Sequence, residues 1–340
     1  MEPILQVRDL HTSFLTSNGE VKAVRGVSFQ VEKGKTLGIV GESGSGKSVT
    51  SLSILKLLGS TGRVTSGSIL LDGEELIHKS KKEMRAVRGG RIAMIFQDPM
   101  TSLNPLLPLG DQVGEMIWAH DKKITKQQRQ EKVLELFRLV RIPEPEKRLK
   151  AYPHEFSGGM RQRVMIAMAL ACKPELLIAD EPTTALDVSI QDQILKLMRS
   201  LQQEMGMSIM FITHDLGVVA ELCDRVVVMY GGLIMEEADI IDIFQSPMHP
   251  YTLGLMASIP DMNQDKRKLL KPIPGSPPDM IHPPQGCPFA PRCPYAMRVC
   301  TQELPPYAQT GANRRSMCWL LHPEAPAEGN PFKQGKEEAK

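Results

Sequence analysis

Apolar and polar residues alternate around Leu5–Phe14 and Val21–Val31, the period of half-buried antiparallel strands. Thr36-Leu37-Gly38-Ile39-Val40 is a short uninterrupted apolar run and predicts a buried strand, with helical spacing over Lys47–Leu58 after it. Ile69-Leu70-Leu71 running into Asp72-Gly73 predicts a hairpin turn, and Arg91–Phe96 a further strand. From about Asp98 to Arg163 the period becomes helical, with Lys126–Val140 an amphipathic segment. Strand signals return at Leu176–Ala179, Ser208–Thr213 and Arg225–Tyr230, separated by the helical stretch Ile190–Met205. This alternation of strand and helix after Ser157 argues for a mainly parallel sheet and an α/β fold.

The pattern dissolves after about Pro250. From Lys271 to Pro306 proline is frequent and cysteines appear, which predicts a loop-rich appendage, and Lys333–Lys340 reads as a disordered charged tail. The 340 residues suit one large domain plus that appendage, with no internal repeat. Lys+Arg 41 against Asp+Glu 39 leaves a formal net charge of +2, without the basic stripe that a nucleic-acid partner would want. No apolar run approaches bilayer length. The start Met1-Glu2-Pro3 lacks the regions of a secretory signal, so the expected place is the cytosol, with docking on a membrane protein open. In that reducing setting the six cysteines are not expected to form disulfides. Lys79-Ser80-Lys81-Lys82 reads as a solvated face, the 20 methionines are scattered through core patterns, and His78 and His120 have no partners at ligand spacing.

Three segments carry chemistry. Gly41-Glu42-Ser43-Gly44-Ser45-Gly46-Lys47-Ser48 fits G-x-x-x-x-G-K-[ST] between a strand and a helix. The glycines let the backbone curl so that successive N–H groups face phosphates, and the following helix, through Ser48 and Val49, adds its positive end. Lys47 reaches the β- and γ-phosphates, and the Ser48 hydroxyl suits magnesium. Leu176-Leu177-Ile178-Ala179-Asp180-Glu181 is an apolar strand ending in two carboxylates: Asp180 suits a magnesium-linked position, and Glu181 a base that polarises water. Such assistance is worth roughly 10²–10⁴ in rate. Ser157-Gly158-Gly159 opens a helix through Met160–Leu170, with Ser157 as N-cap and bare glycines leaving amides accessible to an anion. One phosphate loop already serves the triphosphate, so this second helix start is best used from across a subunit interface.

The ordered set Gly41–Ser48, Gln97, Ser157-Gly158-Gly159, Asp180-Glu181, Asp187 and His214 resembles the ATPase subunit of an ABC transporter over residues 1–244. The resemblance implies a P-loop ABC ATPase fold: an antiparallel β subdomain, a RecA-like core and a helical subdomain at about residues 98–165. It makes Gln97 a sensor of magnesium and the attacking water, His214 a switch histidine on the γ-phosphate, and Asp187, in Ala185-Leu186-Asp187, part of a loop crossing a dimer interface. Phe14 stands where the family often stacks an aromatic on adenine; an inward strand phenylalanine is the other reading. Met160 departs from the glutamine common in the family, as in several peptide-importer subunits. Non-transport relatives in DNA repair carry long coiled-coil insertions, and ribosome-associated relatives two tandem cassettes; this sequence has neither.

Phe96-Gln97-Asp98-Pro99-Met100-Thr101-Ser102-Leu103-Asn104-Pro105 and Tyr152-Pro153-His154-Glu155-Phe156 resemble the dipeptide, oligopeptide and nickel importer branch, as do His249-Pro250-Tyr251-Thr252 and Ile273-Pro274-Gly275. The match is to its D-type subunit, with an appendage at 245–325 and a tail at 326–340. It implies ATP and Mg2+ as cofactors, a paralogous second ATPase subunit, two membrane permease subunits, an extracytoplasmic substrate-binding protein, and a place on the cytoplasmic face of the membrane. Cys287, Cys293, Cys300 and Cys318 fall as C-x5-C-x6-C-x17-C in the appendage, where a metal staple would offset a small core. Related subunits place a [4Fe-4S] cluster there; zinc and unligated thiols are the alternatives. Cys172 and Cys223 sit in apolar helical patterns and read as core thiols.

Overall fold

The alternating start of the chain forms two long strands, β1 (Pro3–Thr16) and β2 (Gly19–Glu32), joined at Ser17-Asn18. Val27, Phe29 and Val31 of the second are buried at a period of two; in the first, Leu5 and Val7 keep that period, which shifts by one residue to Leu10 across Asp9, where φ is 44°. The computed structural model describes residues 2–97, 102–184, 186–258 and 272–333. Residues 98–101 of the branch motif, Ala185, Lys271 and the tail from 334 lie outside the described residues. Ten strands follow among those described: β3 (Thr36–Val40), β4 (Gly62–Leu71), β5 (Glu74–Glu75), β6 (Ile92–Ile95), β7 (Leu176–Asp180), β8 (Ser208–Thr213), β9 (Arg225–Tyr230), β10 (Leu233–Asp239), β11 (Tyr307–Gly311) and β12 (Arg314–Met317). The chain makes two compact units, one of Met1–Leu5, Gln30–Thr36 and Leu70–Ile212, the other of Gln6–Phe29, Leu37–Ile69 and Thr213–Lys340.

In the first unit β6, β7 and β8 lie parallel, with Ile92 opposite Leu176 and Leu176 opposite Ser208. β7 and β8 are buried at every residue, which is why they read as apolar runs without alternation. The expected hairpin is present: Leu71 pairs with Glu74, and Asp72 and Gly73 both take positive φ, 47° and 80°, as a two-residue primed turn needs. The helical region holds Leu109–His120, Lys126–Leu139 and Gly158–Leu170. Lys126–Leu139 starts at a capping box between Thr125 and Gln128 and buries Val133 and Phe137. A helix that the periodicity did not single out, Lys81–Val87, starts at Ser80 inside the lysine run, with Glu83 closing its capping box.

In the second unit β3 runs parallel to β9, Leu37 opposite Arg225, and β10 returns antiparallel beside β9. The helix expected over Lys47–Leu58 stops at Ile54, and Lys56 turns into left-handed backbone at φ 50°. Among its described residues the stretch Lys271 to Pro306 is loop-rich as expected, with only the short helical turns Ala290–Arg292 and Arg298–Gln302, but the C-terminal region around it contributes regular structure. It opens with the helix Pro250–Ala257, and its hairpin β11–β12 adds to the edge of β10. Those strands are legible only in three dimensions, because their arginines answer acids far away in sequence. Arg315 lies opposite Glu237 and bonds it at 2.8 Å. Glu236 is fully buried; Arg314, itself nearly buried, lies 3.4 Å away, and the Met248 N–H donates to the carboxylate at 2.7 Å.

A buried carboxylate stripped of its cation keeps its desolvation cost. Arg314→Met should therefore lower unfolding stability by about 3–5 kcal/mol in a urea titration, and a loss below about 1 kcal/mol would show that the pair does not hold the hairpin on.

Candidate nucleotide site

The buried strand β3 feeds directly into Gly41–Ser48. A Cβ on Gly41 would lie 2.1 Å from the Met229 carbonyl oxygen, so the loop packs backbone against backbone at the end of β9. Gly46 takes φ 102°, and a Cβ there would lie 2.6 Å from the Ala23 carbonyl oxygen. Gly232 donates its N–H to the Ser45 carbonyl at 3.1 Å, pinning the loop from the turn after β9. The Lys47 ammonium is buried and donates to the carbonyls of Gly41 at 2.7 Å and Glu42 at 2.9 Å, with Ser45 Oγ at 3.4 Å. It is thereby held over the loop with its donors converging on one region. The helix Lys47–Ile54 begins at that lysine, so its positive end faces the loop. Ser43 and Gly44 are exposed, and Ser48 and Val49 half-buried in the first turn. Phe14 is half-buried on β1 and packs its ring over Gly62, where a Cβ would meet it at 2.7 Å.

In the other unit β7 ends at Asp180, which is 4 % exposed, and Glu181 follows with φ 47°. A glutamate in left-handed backbone costs of the order of 1 kcal/mol, and the bonds around it hold it there. Its own N–H donates to the Ile212 carbonyl at 2.9 Å. Gln97, just after β6, donates Nε2 to Glu181 Oε2 at 2.9 Å, and Thr184 donates its hydroxyl to the same oxygen at 3.0 Å. Two donors on one carboxylate oxygen fix the plane of the group. The sequence reading missed Thr184; its only signal was a hydroxyl three residues beyond a candidate base.

Ser157 caps the helix Gly158–Leu170, accepting the Met160 N–H at 3.3 Å. A Cβ on Gly159 would meet Ile190 Cγ2 at 2.6 Å, so this glycine admits close helix packing as well as leaving a bare amide. Asp187 caps the helix Val188–Met205, accepting the Ile190 N–H at 2.9 Å and the Ser189 hydroxyl at 2.8 Å. Those bonds, the Ile190 amide first, hold its carboxyl below the usual carboxylate range. His214 is exposed between β8 and the helix Leu216–Leu222, whose cap is Asp215. The structure thus gathers Gln97, Thr184 and Glu181 in one unit, and Gly41 to Lys47 with the end of β9 in the other.

Cys287, Cys293, Cys300 and Cys318 line one small, mainly apolar cavity with Phe289 and Trp319. The Cys287 N–H donates to the Cys300 carbonyl at 2.8 Å, and the Met297 N–H to Cys300 Sγ at 3.4 Å. Burial pushes the Cys287 thiol up to about 12 and Cys293 up to about 11, and raises Cys318 further. Among the described residues no group of three or more His, Cys, Asp or Glu side chains is placed to hold a metal ion. Cys223 is buried and Cys172 half-buried, as core thiols would be.

Residues 24–184 match the ABC transporter family, and residues 235–300 the oligopeptide/dipeptide transporter C-terminal region. The oligopeptide transport ATP-binding protein OppD of Bacillus subtilis is 55% identical over 95% of this chain and 90% of its own length. The dipeptide transport ATP-binding protein DppD of the same organism is 54% identical over 94% of this chain and 95% of its own. Among solved structures, cbiO1 from Clostridium perfringens, part of an ABC transporter complex, matches with a TM-score of 0.63 at 29% identity, covering 72% of this chain and 92% of its own. The ATP-binding cassette MJ0796, a dimer bound to ADP and Pi, matches with a TM-score of 0.62 at 26% identity, covering 69% of this chain and 98% of its own. No helix among the described residues is long and apolar enough to cross a membrane. With a P-loop cassette in both fold and sequence, the chain belongs to the ABC transporter family as an ATP-binding subunit of the oligopeptide and dipeptide branch, hydrolysing ATP to drive peptide import.

Proposed function

We propose that Glu181 is the general base of ATP hydrolysis and that Gln97 and Thr184 aim it. The observation that carries this reading is the pair of hydrogen bonds converging on Glu181 Oε2. Gly41 and Ser43–Ser48, with Val49, cradle the triphosphate, and the Lys47 ammonium exchanges loop carbonyls for phosphate oxygens. Ser48, Asp180 and the Gln97 amide oxygen would hold Mg2+. These are the hard oxygen donors that magnesium takes a few at a time alongside phosphate and water, and the ion would neutralise phosphate charge. His214 contacts the γ-phosphate, and Phe14 supports adenine.

Residues 1–244 form the ATPase domain and 245–325 the appendage; residues 326–333, expected to begin a flexible tail, instead fold with it, since Asn330 is buried and donates Nδ2 to the Leu320 carbonyl at 2.8 Å. A paralogous ATPase subunit lends its equivalent of Ser157, Gly158, Gly159 and Asp187 to this chain's ATP and receives the same in return. The capped helix start at Ser157, open to an anion, supports that exchange. ATP then closes the pair and hydrolysis reopens it, a two-state switch biased by γ-phosphate contacts. The subunit works on the cytoplasmic face of the membrane with two permease subunits and an extracytoplasmic substrate-binding protein. A cleft of about 490 Å3 in the helical region, lined by Asp111, Arg129, Val133, Glu146, Leu149 and Lys150, is the seat proposed for such a permease element.

The four appendage cysteines, Cys287, Cys293, Cys300 and Cys318, would be the ligands of a [4Fe-4S] cluster. Four sulfur donors line one small apolar cavity, with an amide directed at Cys300 Sγ, which supports this reading; as they stand no three of them are placed to hold a metal ion, so the thiols would have to draw together around a group that would supply a covalent staple for a segment with little core.

Glu181→Gln should cut ATP turnover at least about hundredfold, while ATP binding is retained, in a phosphate-release assay; turnover within about tenfold of wild type would remove Glu181 as the base. For the cluster, Cys287→Ser purified without oxygen should lose iron and sulfide together relative to wild type. Iron undiminished by the substitution, or no iron in the wild-type chain, would contradict the assignment.

A further inference from the structure

Glu42 is the second residue of the phosphate loop, and its carboxylate is paired from the appendage. Arg292 Nη1 donates to Glu42 Oε2 at 2.5 Å and Nη2 to Oε1 at 3.0 Å, a two-pronged arrangement with Arg292 only 6% exposed. The guanidinium is itself pinned: Nη1 also donates to the Tyr230 hydroxyl at 3.0 Å, Nη2 to the Ile273 carbonyl at 3.0 Å, and Nε to the Pro274 carbonyl at 2.8 Å. The loop backbone is held from the same side, because the Glu42 N–H donates to the Tyr251 hydroxyl at 2.8 Å. Tyr230, Tyr251 and Phe289 pack ring on ring beneath this network, with centroids 4.7–5.4 Å apart. Arg292 directly precedes Cys293, and Phe289 shares the cavity of the four cysteines.

A carboxylate in a loop that receives a triphosphate repels that ligand unless it is neutralised. A planar guanidinium with its other donors already engaged neutralises it with little further ordering. We propose that Arg292 is a positioning residue of the nucleotide site: it neutralises and fixes Glu42 so that the loop accepts ATP, which makes ATP affinity depend on the cysteine-bearing appendage. The proposal rests on Gly41–Ser48 being the ATP-binding loop, and it adds a residue outside that motif.

The test is ATP affinity of the full chain by titration calorimetry for wild type, Arg292→Met, Glu42→Gln and the double variant, with thermal unfolding followed in parallel. Arg292→Met, which strands the carboxylate, should weaken ATP binding at least about tenfold, within the usual range of coupling between sites. Glu42→Gln/Arg292→Met, with no charge left to neutralise, should return to within about threefold of wild type. Unchanged affinity in Arg292→Met would overturn the proposal. So would a double variant as weak as Arg292→Met, since a merely structural arginine is not rescued by removing a charge. A wild-type chain that does not bind ATP would overturn the reading of the loop itself, and this proposal with it.

Discussion

The phosphate loop rests backbone to backbone on the end of β9, and the rest of its unit is arranged around that contact. Gly41 has no room for a side chain against the Met229 carbonyl, and Gly46 none against Ala23. The next residues of β9 and its turn continue the support: Tyr230 receives Arg292, and Gly232 bonds the Ser45 carbonyl. A loop so pressed, with the Lys47 ammonium on its Gly41 and Glu42 carbonyls, keeps its backbone in one conformation, which leaves its amides for the proposed phosphate contacts. The same strand carries β10 and, beyond it, the hairpin of the appendage, so the C-terminal region is built onto the support of the loop.

The other unit solves a different problem, that of aiming a flexible carboxylate. Glu181 leaves β7 in left-handed backbone, an unfavourable conformation for any residue with a side chain. The cost is offset by an amide bonded to Ile212 and two donors on Oε2. A carboxylate held in this way loses little freedom when water arrives, which is the preorganisation that the role proposed for Glu181 requires.

Much of this was legible in the sequence wherever local chemistry dictates structure. The loop motif, the Ser157 cap, the Asp72-Gly73 turn and the apolar strands β7 and β8 are set by residues within a few positions of one another. What escaped depends on partners distant along the chain. β12 does not announce itself because Arg314 and Arg315 break its apolar pattern, and only Glu236 and Glu237 on β10 make sense of them. Thr184 belongs to no spacing rule and gains its role from Gln97 and Glu181 meeting beside it. Arg292 is one basic residue in a proline-rich segment, 250 positions along the chain from its partner Glu42.

The central claim is that the bare backbone at Gly41 sets the shape of the nucleotide loop. The most direct test is ATP titration of Gly41→Ala in the full chain, with far-UV circular dichroism as the check on folding. The account predicts a wild-type spectrum and no saturable ATP binding, because the added methyl displaces the loop from the Met229 carbonyl. Wild-type ATP affinity in that variant would contradict it.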